Sequence, residues 1–138
     1  MARVNASNNG FSGELPGEIG DLSLLKNPHL QHNILVGPIP QTLGLCNALA
    51  EINFVGNRLS GPIPTSWGSI QVLNSLNLSN NQLSGQIPKS LSLLKLNLLD
   101  FSNNQLTGPV PTQVIDLAGN HSFSGNTGLC EKKIVHIF

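Results

Sequence analysis

Tyrosine is absent from this 138-residue chain, tryptophan and methionine occur once each, and aromatic residues make up only 4% of it. Charge is equally scarce. Seven Lys and Arg balance seven Asp and Glu, so charged residues are 10% of the chain and the net charge is zero. A neutral chain lacks the electrostatic footprint of a nucleic-acid binder, and no basic amphipathic stretch suggests a membrane surface. Long apolar runs are missing too. The most apolar region, Leu91 to Leu99, is interrupted by Ser92, Lys95 and Asn97, so nothing approaches the roughly 18 residues of a membrane helix. The opening Met1-Ala2-Arg3-Val4-Asn5 has no apolar run behind it and does not read as a secretory leader.

The residue types of reaction chemistry are also thin. Cys46 and Cys130 stand far apart and fit neither a disulfide framework nor a four-ligand zinc site. His29, His32, His121 and His136 match no ligand spacing, and no nucleophile or paired carboxylate accompanies them. Glu51 and Asp100 lie two repeats apart and read as solvated carboxylates. No catalytic residue, metal or cofactor is expected.

What the chain does have is a period. Asn9-Gly-Phe-Ser-Gly-Glu-Leu-Pro16 returns as Asn33-Ile-Leu-Val-Gly-Pro-Ile-Pro40 and Asn57-Arg-Leu-Ser-Gly-Pro-Ile-Pro64. It returns again as Asn81-Gln-Leu-Ser-Gly-Gln-Ile-Pro88 and Asn104-Gln-Leu-Thr-Gly-Pro-Val-Pro111, at spacings of 24, 24, 24 and 23 residues. A period of about 20–29 residues signals a leucine-rich repeat, an α/β solenoid of stacked coils. Ahead of the asparagine runs an apolar alternation, Ile52/Phe54, Leu76/Leu78 and Leu99/Phe101. Period two means a short strand with one face buried, and strands are expected to centre near residues 29–31, 52–54, 76–78 and 99–101.

Each position in the unit has a physical role. Asn9, Asn33, Asn57, Asn81 and Asn104 should close the strands and form a buried ladder, because an unpaired buried amide costs about 1–3 kcal/mol. Phe11, Leu35, Leu59, Leu83 and Leu106 should point back inside. Pro16, Pro40, Pro64, Pro88 and Pro111 should open 3₁₀ or short helical turns on an otherwise irregular outer side. Ile19/Leu22/Leu25 and Leu43/Cys46/Leu49 should carry that side inward, with Trp67 in the same packing role. Pro28 takes a strand slot in which leucine is usual. Proline donates no ladder bond, so that strand should pair poorly on at least one side.

The pattern Asn-x-Leu-x-Gly-x-Ile-Pro resembles the plant-specific class of extracellular leucine-rich repeats, over about residues 1–130. Receptor-like kinases, receptor-like proteins and polygalacturonase-inhibiting proteins share it. The unit from Leu91 to Asn104 is one residue short, as in the last repeats of peptide-sensing receptor kinase ectodomains. Phe123-Ser-Gly-Asn-Thr-Gly-Leu-Cys130 is similar to their C-terminal cap. The resemblance implies a right-handed curved superhelix with parallel strands on the concave side and 3₁₀ or short helical turns on the convex side. It divides the chain into repeats (1–119), a cap remnant (120–130) and a tail (131–138).

For function the resemblance implies a protein- or peptide-recognition module, part of a receptor ectodomain that takes a peptide ligand or a co-receptor protein at the outer face of the plasma membrane. It implies no enzyme: a glycine-rich phosphate loop with its lysine and a His-Arg-Asp loop are both missing from the sequence. A soluble polygalacturonase-inhibitor-like defence protein is the alternative, and a non-functional truncated gene product is a third reading. The expected contact residues are the solvent-facing strand positions His29, Gln31, Asn53, Val55, Asn77, Ser79, Asp100 and Ser102, with Asn5 and Ser7 in the first unit and Phe123 in the cap. No arginine stands among them, so a paired-arginine grip on a peptide carboxylate is not expected. Asn5, Asn77 and Asn120 open Asn-x-Ser triplets and are candidate glycosylation sites.

Overall fold

The computed structural model describes residues 3–117 and 122–129. In chain order the strands are β1 (Arg3–Asn5), β2 (Ser12–Glu14), β3 (Asn27–His29), β4 (Ile34–Pro38), β5 (Glu51–Asn53) and β6 (Arg58–Gly61). There follow β7 (Ser75–Asn77), β8 (Gln82–Gln86), β9 (Leu98–Asp100), β10 (Gln105–Gly108) and β11 (Gly128–Leu129). They sort into two parallel sheets, one ordered β1-β3-β5-β7-β9 and the other β11-β10-β8-β6-β4-β2. Strand pairing joins residues about one repeat apart throughout, such as Ile52 with Leu76 and Leu76 with Leu99. This is a leucine-rich-repeat solenoid.

Each coil turns outward at its proline. Short 3₁₀ helices at Gly17–Asp21, Gln41–Leu45, Thr65–Ser69 and Lys89–Leu93 follow Pro16, Pro40, Pro64 and Pro88. The prolines themselves are extended, and their carbonyls accept the N–H groups of Ile19, Leu43, Trp67 and Leu91. A ring that fixes φ and lacks an N–H suits this first position. The last coil turns instead through α1 (Thr112–Leu117).

The asparagine ladder runs through the stack. Asn57 Oδ1 accepts the Leu35 N–H of the coil before, and its amide donates to the carbonyls of Leu30 and Phe54. Asn81 and Asn104 repeat the pattern one and two coils further on. A regular parallel ladder would send the Ser79 N–H to the Phe54 carbonyl. Here the amides of Asn57 and Asn81 take that carbonyl, and Asn77 Oδ1 accepts the Ser79 N–H instead. The substitution stops β5, β7 and β9 at Asn53, Asn77 and Asp100. Strand centres therefore fall at Pro28, Ile52, Leu76 and Leu99, at or before the early edge of the expected windows.

Leu43, Cys46, Leu49, Ile52, Phe54, Leu59, Ile63, Trp67, Ile70 and Leu76 belong to one fully buried core. Trp67 packs inside as expected, its Nε1 unpartnered among the described residues. Pro28 weakens its strand on one side only: β3 keeps three register pairs with β1 and has one with β5, His29 with Asn53.

Several expectations are corrected. The course from each asparagine to its proline, where no strand was expected, forms the second sheet. Phe11 is 50% exposed rather than inward, and Leu22 is exposed too, because neither has an earlier coil over it among the described residues. Asn9 is likewise exposed, its amide turned to the Ser7 carbonyl. A fifth buried rung, after Asn33, Asn57, Asn81 and Asn104, is Asn126, which accepts the Leu106 N–H and donates to the Phe101 and Phe123 carbonyls. The expected strand slots of Asn5 lie where only backbone is described. Asn120, Cys130 and the 131–138 tail lie outside the described residues.

Candidate functional site

The solvent side of the first sheet is built by strand alternation. With Ile52 and Leu76 buried, their flanking residues Glu51, Asn53, Ser75 and Asn77 face outward and are half-buried. Parallel register then aligns side chains from different coils. His29, Asn53, Asn77 and Asp100 form one row across four strands. Glu51, Ser75 and Leu98 form a second row beside it.

The first row contains four of the expected contact residues, and Gln31 and Val55 are also partly exposed. Ser79, Ser102 and Phe123 do not belong to this face. Ser79 and Ser102 are 4% and 8% exposed, drawn under the turn that follows each strand. Their N–H groups bond to Asn77 Oδ1 at 3.1 Å and Asp100 Oδ1 at 2.9 Å. Phe123 is 1% exposed and packs edge-on against Phe101, with ring centroids 6.5 Å apart. An edge-to-face pair of that kind closes the end of the core.

Two surface features escaped the sequence. Glu51 is not an isolated carboxylate: its Oε2 lies 3.1 Å from His29 Nε2 on the neighbouring strand. Both side chains remain partly exposed, so the pair contributes at most about 1 kcal/mol. Leu98 is 45% exposed on a face whose other members are mostly polar. The signal for Leu98 was the same alternation read one step earlier in the shortened unit.

The second sheet offers a flanking surface. Ile34 and Val36 are exposed on β4, and Val36 lies in register between Glu14 and Arg58. Beyond them the exposed positions include the amides Gln82, Gln86 and Gln105. Cys46, by contrast, is wholly buried and unpaired. Burial raises its thiol pKa, and the Asp21 carboxylate adds to the rise. Among the described residues no cluster of His, Cys, Asp or Glu could hold a metal, and no helix is long and apolar enough to cross a membrane.

Comparison with known proteins follows the same lines. A Leucine Rich Repeat family model matches residues 2–22, 72–94 and 95–117. The BIR2 ectodomain from Arabidopsis thaliana is 34% identical with a TM-score of 0.88, over 94% of this chain and 69% of that one. A chain of the Arabidopsis thaliana BIR3–SERK2 complex is 36% identical with a TM-score of 0.86, over 92% of this chain and 68% of that one. The Arabidopsis receptor kinase HAESA, in complex with the peptide hormone IDA and the co-receptor SERK1, is 42% identical with a TM-score of 0.89. That match covers 94% of this chain and 22% of the receptor chain. No curated protein matches.

Proposed function

The chain belongs to the ectodomain family of plant leucine-rich-repeat receptor kinases, and from that premise we propose that it is a protein-recognition module of extracellular signalling, taking a peptide or a co-receptor ectodomain on its strand face. The observation that carries this reading is the in-register outward row His29, Asn53, Asn77 and Asp100, presented by a rigid stack of backbone. Outward side chains on such a platform vary without disturbing the core. Contact concentrates at the end of the row, where the exposed Leu98 stands beside Asp100. An apolar side chain next to a carboxylate that meets no cation among the described residues suits a partner presenting an apolar group with a nearby cation or N–H donor.

The relatives support a partner of this kind. HAESA is bound to a peptide hormone and a co-receptor, and BIR3 to SERK2. Calorimetry with a SERK-type co-receptor ectodomain tests the reading. Asp100→Asn keeps the oxygen that accepts the Ser102 N–H and removes the charge; because it also completes an Asn-x-Ser triplet with Phe101 and Ser102, the proteins compared are made in bacteria, which attach no glycan there. Affinity should fall about tenfold, or about 1.4 kcal/mol, while the unfolding midpoint stays put. Binding to a fungal polygalacturonase and not to the co-receptor would overturn the reading.

A further inference from the structure

Among His29, Asn53, Asn77 and Asp100, Asn77 alone opens an Asn-x-Ser triplet, Asn77-Leu78-Ser79. Its Oδ1 accepts two hydrogen bonds, from the Ser79 N–H at 3.1 Å and from the Ser79 hydroxyl at 2.8 Å. Its Nδ2 has no hydrogen bond to any described residue. The buried ladder asparagines are the reverse: in Asn57, Asn81 and Asn104 the Nδ2 donates to carbonyls of two coils and cannot be substituted without breaking the stack.

We propose that Asn77 carries an N-linked glycan that divides the recognition face in two. This rests on the extracellular reading above. In the transfer, the Asn77 amide nitrogen attacks the anomeric carbon of a polyprenyl-diphosphate-linked oligosaccharide. The new C–N bond replaces one N–H, whose proton goes to a base of the transferase. The lipid diphosphate departs with the electron pair of the broken C–O bond. Transfer takes place on the unfolded chain, so the native burial of Ser79 is no obstacle. After folding, the substituted amide still has its oxygen free to hold Ser79, and its nitrogen projects from a half-buried, outward position.

The surroundings leave room. Across the strands Asn77 is flanked by Asn53 and Asp100, and along its own strand by Ser75, all short and polar. The hydroxyl bond is not needed to shape the turn, because Ser102 makes the same backbone bond to Asp100 Oδ1 alone. A glycan here covers the middle of the row. It leaves the Leu98–Asp100 end on one side and the His29–Glu51 pair on the other, so a single ligand cannot run the length of the strip.

The test is to pass the full chain, behind a secretory leader, through plant cells and recover it from the medium. Treating it with peptide-N-glycosidase in isotopically heavy water should convert position 77 to labelled aspartate, read by peptide mass spectrometry. Ser79→Ala should abolish the label there and Ser79→Thr should keep it, with the circular dichroism spectrum unchanged in both. Secreted, folded chain with an unmodified Asn77 peptide, whether or not Asn5 or Asn120 is modified, overturns the glycan and leaves the recognition reading standing. Native protein found only in the cytosol, where no transferase acts, overturns both.

Discussion

At the scale of single residues, the ladder asparagines and the outward asparagines differ in what they hold. Asn57→Ala would leave the Leu35 N–H without its buried acceptor and withdraw a donor from two carbonyls, and Asn81→Ala would do the same one coil on. Each should cost about 1–3 kcal/mol, read as a shift of the urea midpoint. Asn53→Ala removes only a long, 3.4 Å bond from the Val55 N–H and should cost under about 0.5 kcal/mol. Equal losses at the two kinds of position would contradict the ladder. Cys46 offers an independent check of the core. With the thiol buried and its pKa raised, little thiolate forms at neutral pH. A disulfide reagent should label it only as fast as the chain opens, whereas labelling at the rate of a free thiol in native buffer would place it outside the core.

At the scale of elements, two positions control how coils stack. Pro28 lines an apolar groove with Pro16, Ile19, Leu22, Leu25 and Leu30, so a larger side chain has room there. Pro28→Val would restore the missing ladder donor towards β5 and gain about 0.5–1.5 kcal/mol, seen as a higher urea midpoint. No gain would mean that the seam between β3 and β5 has another cause. Outside, successive 3₁₀ turns approach closely, with the Ser66 hydroxyl donating to the Gln41 carbonyl and the Ser90 hydroxyl to the Thr65 carbonyl. Gly68 makes that approach possible, since a Cβ there would sit 2.5 Å from Ser90 Cβ and 2.6 Å from the Ser90 carbonyl oxygen. Gly68→Ala should destabilise the stack by about 1–3 kcal/mol, measured by thermal unfolding, and an unchanged melting temperature would show that the turns can part without cost.

At the scale of the whole molecule, a solenoid's stability is the sum of coil terms and nearest-neighbour terms. These are uneven along the stack. The first coil exposes Phe11, Leu22 and Leu24, while the coils from Leu43 to Phe101 bury nearly all of their inward side chains. The weak seam at Pro28 lies between these regions. Amides of residues 6–30 should therefore exchange faster than those of residues 52–106 in native-state hydrogen exchange followed by mass spectrometry. Uniform protection along the chain would mean that the seam does not divide the stack.

Much of the solenoid was legible because the period is local to the chain. Any coil of this length needs an apolar alternation to bury one strand face, an asparagine to satisfy carbonyls as the strand ends, and a proline where the outer turn begins. The sequence by itself therefore determined the inward residues of the coils from Leu35 on, the rungs from Asn33 to Asn104, the 3₁₀ turns and the weak pairing of β3. Exposure was decided elsewhere. Whether Ser79, Ser102 and Phe123 face solvent depends on side chains one or more coils away, and so does the meeting of His29 with Glu51. The second sheet and the rung at Asn126 likewise arise from bonds between residues about 20 apart or more, such as Leu106 with Asn126. A periodic sequence dictates which way a side chain turns within its own coil, but only stacking sets what lies over it, and that is where the recognition face was drawn.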